Sequence, residues 1–215
     1  MPLQNRVAPD GSLHRASARG MFTGNRGVIH DPDTKRLSGR RWTTKAWIAC
    51  ALHWKSVRRD VWGRNRQGRA GWSELFFLDE VTALAAGHRP CFACRHADAR
   101  RFTGAFAAGN EISSLYAPAI DEILHRERRQ SSRQLAYPIA PGELRALPDG
   151  AMMASGDKFF AVRDGQAMPW SFDGYGVPVA FSDLPQAQLS MITPRSVVNA
   201  LKAGYRAQWH PSASA

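Results

Sequence analysis

The segment Gly87-His88-Arg89-Pro90-Cys91-Phe92-Ala93-Cys94-Arg95 constrains this chain more than any other. An apolar strand-like run, Glu74-Leu75-Phe76-Phe77-Leu78-Asp79-Glu80, leads through a short helical stretch to the glycine turn. Pro90 then stiffens the approach to two thiols set at the start of what reads as another helix. Two cysteines separated by two residues at a helix start can point to one side, which suits a tetrahedral zinc ion.

The 215 residues contain three cysteines, Cys50, Cys91 and Cys94. Three thiols cannot all pair, and in a reducing compartment this spacing favours a metal over a disulfide. Cys50 is the expected third ligand. It lies in the β-forming run 47–54, which is expected to lie beside 74–78 and so to end near the knuckle. His30, after Val28-Ile29, is the candidate fourth ligand. His53 would need a bulge or turn to join Cys50, because their spacing puts them on opposite faces of a strand. His88 and water are further candidates for the fourth position. Three thiolates and a histidine would make a closed structural site, whereas a water in the fourth position would make a catalytic one.

Phe76-Phe77-Leu78-Asp79-Glu80, the residues 83–87 and His88-Arg89-Pro90-Cys91-Phe92-Ala93-Cys94-Arg95 together resemble the zinc-binding domain of the Ada methylphosphotriester repair proteins. The likeness covers about residues 74–96. It implies that Cys91 and Cys94 bind zinc and that DNA is a plausible partner. The family takes two further ligands from an upstream Cys-x-x-x-Cys, one of them the methyl acceptor, where this chain has only Cys50. His88 replaces the family's usual aromatic residue, which points to packing rather than ligation. Trp170-Ser171-Phe172-Asp173-Gly174-Tyr175 and His210-Pro211-Ser212-Ala213 resemble stretches of a group of bacterial proteins whose likeness implies no activity.

The formal net charge is +11, and a field of that sign favours polyanions, nucleic acid above all. Arg58, Arg59, Arg64, Arg66 and Arg69 lie among Trp62, Trp72 and several glycines, where guanidinium groups can meet phosphates and indoles can stack on bases. Arg89 and Arg95 flank the knuckle as further candidate contacts. The same residues also suit a plainer role, arginine stems covering tryptophan faces within the fold. No apolar run approaches the roughly 20 residues of a membrane span, and the first residues lack a secretory layout, so a cytoplasmic protein without a membrane partner is expected.

The chain reads as α+β, with a small antiparallel sheet, a zinc knuckle and packed helices, followed by a β-rich C-terminal part. Residues 1–45 read as a basic, irregular arm with one short strand at 27–29. Residues 46–140 read as the knuckle-bearing core, with helices over 97–108 and from Pro118 to about Gln134. Residues 145–215 read as a β-rich subdomain with strands near 152–154, 159–162, 179–181 and 189–192 and a turn at Asp164-Gly165. A final helix is expected to start with Thr193 as N-cap and Pro194 as first residue, and to stop at Gly204.

Three functions fit these features. One is a zinc-containing nucleic-acid-binding protein, with DNA favoured. Another is a zinc-dependent hydrolase or nuclease, for which His30-Asp31, His125 with Glu127, and His210 offer acid and base groups. The third is a zinc-stapled protein with no nucleic-acid role. Alkyl transfer to Cys50 is a minor further option.

Overall fold

Side chains alternate across an extended chain, and this decides which face of the first sheet meets the core. Trp47 and Ala49 are buried, whereas Ile48 and Cys50 line a cleft. The computed structural model describes residues 1–55, 60–130, 137–140, 142–184 and 189–214. Its first elements are β1 (Arg6–Val7), β2 (Leu13–His14), β3 (Phe22–Asn25), β4 (His30–Asp31), β5 (Arg36–Leu37), β6 (Ile48–Ala51) and β7 (Leu75–Phe77). Helix α1 (Glu80–Ala85) and strand β8 (Arg89–Pro90) follow. The strand order of the first sheet is β2-β1-β7-β3-β6-β8, and β4 pairs with β5 apart from it.

Five short strands thus occupy the segment whose sequence reads as an irregular arm. The expected strand at 27–29 falls between β3 and β4. Phe22, Thr23 and Gly24 pair on both sides, with β6 and with β7, and Val7, Phe22 and Ile29 are buried. The expected neighbour relation of 47–54 and 74–78 is likewise corrected, because β3 lies between β6 and β7. Gly24 permits this close approach: a Cβ there would lie 2.0 Å from the Ile48 carbonyl oxygen.

Helix α1 is buried along its whole length, and its two polar side chains, Glu80 and Thr82, are hydrogen-bonded there, as buried polar groups must be. Ala83 and Ala86 pack on Val7, Leu75 and Phe77 of the first sheet. Leu78, Val81 and Ala85 pack on Met152, Ala161 and Met168. Its N-cap is Asp79, whose carboxylate accepts the Thr82 amide at 2.9 Å. Its exit is a Schellman turn, in which the Gly87 amide donates to the Leu84 carbonyl and the His88 amide to the Ala83 carbonyl, both at 2.9 Å. Gly87 adopts φ +77°, the left-handed conformation this turn requires.

Beyond the knuckle lie α2 (His96–Gly109), α3 (Ala117–Gln130), β9 (Tyr137–Pro138), β10 (Met152–Ser155), β11 (Lys158–Arg163), β12 (Gln166–Ser171), β13 (Gly174–Tyr175), β14 (Leu189–Met191) and α4 (Arg195–Lys202). The second sheet has the order β13-β12-β11-β10-β14-β9. The expected turn at Asp164-Gly165 joins β11 to β12, with φ of +49° and +72°. The expected extension of α3 to Gln134 lies outside the described residues.

The largest core joins Phe102 and Phe106 of α2, Ile120 and Leu124 of α3, and Val197 and Leu201 of α4 to Met153 and Met191. Each large apolar side chain buried there contributes about 1.5–3 kcal/mol. The chain is therefore α+β, with a small knuckle-bearing sheet, packed helices and a β-rich C-terminal part. No helix among the described residues is long and apolar enough to cross a membrane.

The start of α4 departs from expectation. Thr193 Oγ1 accepts the Met152 amide at 2.8 Å, so it does not cap the helix. Glu127 of α3 takes over that role, accepting the Ser196 amide at 3.0 Å together with the Ser196 hydroxyl. A carboxylate at a helix N-terminus gains from the helix dipole.

Candidate metal centre

Strand β8 brings the thiols together. It runs parallel to β6, with Ala49 opposite Pro90, and the Cys91 amide donates to the Ala49 carbonyl at 3.0 Å. The residue after Ala49 is Cys50, so its side chain meets that of Cys91 at the sheet edge. The chain then turns, with the Arg95 amide donating to the Cys91 carbonyl at 2.9 Å, and Cys94 closes the group at the entrance to α2. The Ala51 amide donates to Cys94 Sγ at 3.4 Å.

The sulfur atoms of Cys50, Cys91 and Cys94 all lie within 4.8 Å of one another. All three are free thiols, Cys91 buried and the other two partly exposed. Their ionisation is divided. A hydrogen bond from Cys50, opposed by burial and aided by the amides of Cys94 and Ala93, lowers the Cys91 thiol to about 5. The same hydrogen bond, with burial and two neighbouring sulfurs, pushes Cys50 up. Burial, against the Ala51 amide, raises Cys94. One negative charge is thus accommodated and further ones repel it, a conflict that a divalent cation removes. Soft thiolates at this spacing are ligands for zinc or a similar thiophilic metal.

Among the described residues, no other His, Cys, Asp or Glu joins this group. His30 lies elsewhere: it is buried, its Nδ1 hydrogen-bonds the Ser73 hydroxyl at 2.6 Å, and its ring stacks on Trp62 at 5.3 Å. His53 is exposed and lines a different cleft with Arg6 and Phe76. His88 is fully buried against Trp47 and Phe77 and accepts from Arg26 Nε, in a packing role.

The thiols face a cleft of about 380 Å³ whose walls include Thr23, Asn25, Trp54, Trp72 and Glu74. Trp72 is 60% exposed. Glu74 is a site residue without a sequence signal of its own, since it reads only as the polar end of a strand. Its Oε2 accepts the Trp62 amide at 3.0 Å, and its carbonyl accepts the Trp62 indole N–H at 3.0 Å. Trp62 itself is fully buried, so its ring is withdrawn from any base-stacking role.

The arginines divide by environment. Arg89 is buried in a two-point ion pair with Asp121. Arg95 is buried against Glu80 and Asp98. Both guanidinium groups serve the fold and are turned away from solvent. Arg64 is exposed but forks onto Asp33, and Arg66 and Arg69 are exposed in the segment leading to Trp72. Arg58 and Arg59 lie outside the described residues.

The other candidate acid and base groups are separated. His125 packs edge-on to Trp42, while Glu127 holds Ser196. His210 hydrogen-bonds Ser212, and its amide donates to Asp79. Asp31 accepts from the amide and hydroxyl of Thr34 within its own turn. No family model matches the chain, and comparison with curated proteins and with solved structures finds no match.

Proposed function

We propose that this chain is a zinc protein that binds nucleic acid at the cleft bearing its metal centre. The observation that carries the reading is the convergence of Cys50, Cys91 and Cys94 at the wall of a cleft rather than inside the core. The cleft volume of about 380 Å³ falls within the roughly 300–1,000 Å³ typical of small-ligand sites, enough to receive a base. Trp54 and Trp72 offer indole faces for stacking. Arg66 and Arg69 are exposed cations in the segment that leads to Trp72, and the net charge of +11 favours a polyanion. The Ada-like knuckle adds DNA as the favoured partner.

The test is a titration of the zinc-loaded protein with fluorescent single-stranded and duplex DNA and RNA. Binding is expected to weaken steeply between roughly 50 and 200 mM salt and to quench tryptophan emission. An affinity that stays flat across that range overturns the reading.

Glu74 favours a second reading, metal-assisted hydrolysis of the bound strand. A zinc ion in the cleft supplies Lewis acidity, and Glu74 lines the same cleft as a carboxylate able to take a proton from water. Cleavage that is abolished in Glu74→Gln while oligonucleotide binding persists identifies this activity.

A further inference from the structure

Arg26, one residue past β3, is 1% exposed and carries no salt bridge among the described residues. Its Nε donates to His88 Nε2 at 3.3 Å and its Nη1 to the Gly11 carbonyl at 2.8 Å, while Nη2 has no hydrogen-bond partner among the described residues. The guanidinium lies 4.1 Å from the Trp47 ring centroid, and Arg128 lies 4.3 Å from the same ring. Arg128 is also buried. It donates to the carbonyls of Gly87 and Lys45, and its Nε has no partner among the described residues. Arg41 approaches the indole as well, at 5.8 Å. Among the described residues, the hydrogen-bond acceptors of the two buried cations are thus carbonyls and an imidazole, all neutral. Arginine keeps its charge at neutral pH, and burying such charge without full compensation is costly.

Arg26 floors a cleft of about 420 Å³ that shares no lining residue with the metal-bearing cleft. Arg40 and Arg41 stand at its rim, and Asp10 is the sole carboxylate among the described residues of its lining. The charge of Asp10 acts on Arg26 and Arg41 alike, while its Oδ1 accepts the amide and hydroxyl of Ser12 at 2.9 and 2.6 Å. Among the described lining residues, three guanidinium charges against one carboxylate leave two positive charges in excess. A phosphate dianion matches that excess, whereas a monocarboxylate does not.

We propose that this cleft is a phosphoryl-binding site, in which Arg40 and Arg41 grip the phosphate oxygens and Arg26 supplies a fixed positive floor. Arginine suits the role because its planar fork meets phosphate oxygens two at a time. The site is independent of the zinc reading, since none of its residues is a candidate metal ligand.

The test uses the full-length, zinc-loaded protein and isothermal titration with inorganic phosphate at constant ionic strength, with chloride as control. Saturable binding is expected, weakened about tenfold or more in Arg40→Gln/Arg41→Gln, as removal of charge-assisted hydrogen bonds implies. Zinc content and circular dichroism should not change. Arg40→Gln alone, at an exposed position, provides a variant that leaves the fold intact. Displacement of phosphate by a 5′-phosphorylated oligonucleotide but not its 5′-hydroxyl counterpart assigns the group to a nucleic-acid end. Displacement by both assigns it to the phosphodiester backbone, and by neither to a small phosphate ester. Absence of saturable phosphate binding, or equal binding by wild type and both variants, overturns the proposal.

Discussion

Arg95 Nη2 donates to Glu80 Oε1 at 2.7 Å, with both side chains almost wholly withdrawn from water. This ion pair ties the residue after Cys94 to the first residue of α1. Glu80 also accepts the Tyr205 hydroxyl at 2.7 Å and the Gln208 amide at 2.9 Å. Asp79, beside it, accepts the Tyr175 hydroxyl and the His210 amide at 2.8 and 3.1 Å. Two adjacent acids therefore bind the knuckle, the helix and the C-terminal tail into one network.

Glu80→Ala is expected to destabilise the protein by about 3 kcal/mol, because it leaves the buried Arg95 cation with Asp98 as its remaining carboxylate and the Tyr205 hydroxyl without its acceptor. Glu80→Gln, which keeps hydrogen bonds to Tyr205 and Gln208 possible, should cost less. Urea denaturation of the two variants against wild type checks the order. Equal stability of Glu80→Ala and wild type would contradict the role assigned to the pair.

The Pro-Cys-x-x-Cys run, the four-residue spacing of Phe102 and Phe106, and Asp164-Gly165 are local signals: the two thiols fall in the turn just before α2, the phenylalanines within α2, and Asp164-Gly165 in the turn between β11 and β12. The first 45 residues carry no such signal, because strands as short as β1, β2, β4 and β5 are too brief to show a period. Sequence patterning brings Cys50 to Cys91 through the wrong strand: β8, not β7, makes the connection. Charge is legible in number but not in place. Arg26, Arg89, Arg95 and Arg128 are buried by long-range packing, which no local pattern encodes.

His88 gives the stability a pH dependence of definite sign. Burial, then the charges of Arg26 and Arg128, holds its pKa well below the ordinary 6.5. The unfolded chain therefore binds the proton first as pH falls. Stability from this residue is complete above about 6.5 and declines below it, at up to about 1.4 kcal/mol per pH unit. His88→Gln removes the titration while retaining an acceptor for Arg26, so its stability should fall less steeply below about pH 6.5. Denaturation at several pH values, with zinc content followed in parallel, measures the slopes. Identical slopes for the two proteins would contradict the assignment.

Nucleic-acid binding should respond differently to Trp72, in the cleft wall, and to the exposed arginines of the segment that leads to it. Arg66→Gln/Arg69→Gln should reduce the salt dependence of binding by about one counter-ion for each phosphate no longer neutralised. Trp72→Ala should weaken binding by about 1–3 kcal/mol with little change in that dependence, as removal of one stacked base implies. Fluorescence anisotropy across a salt series separates the two effects. A Trp72→Ala protein that binds as wild type would remove the cleft as the contact surface.

The central claim is that Cys50, Cys91 and Cys94 share one metal ion, and its most direct test is the metal content of the reduced, full-length protein by elemental analysis. About one zinc ion per chain is expected, lost or strongly reduced in Cys50→Ala, Cys91→Ala and Cys94→Ala and retained in His30→Ala. A folded wild-type protein that contains no metal and takes up none, or a Cys50→Ala variant that holds zinc as tightly as wild type, would contradict it.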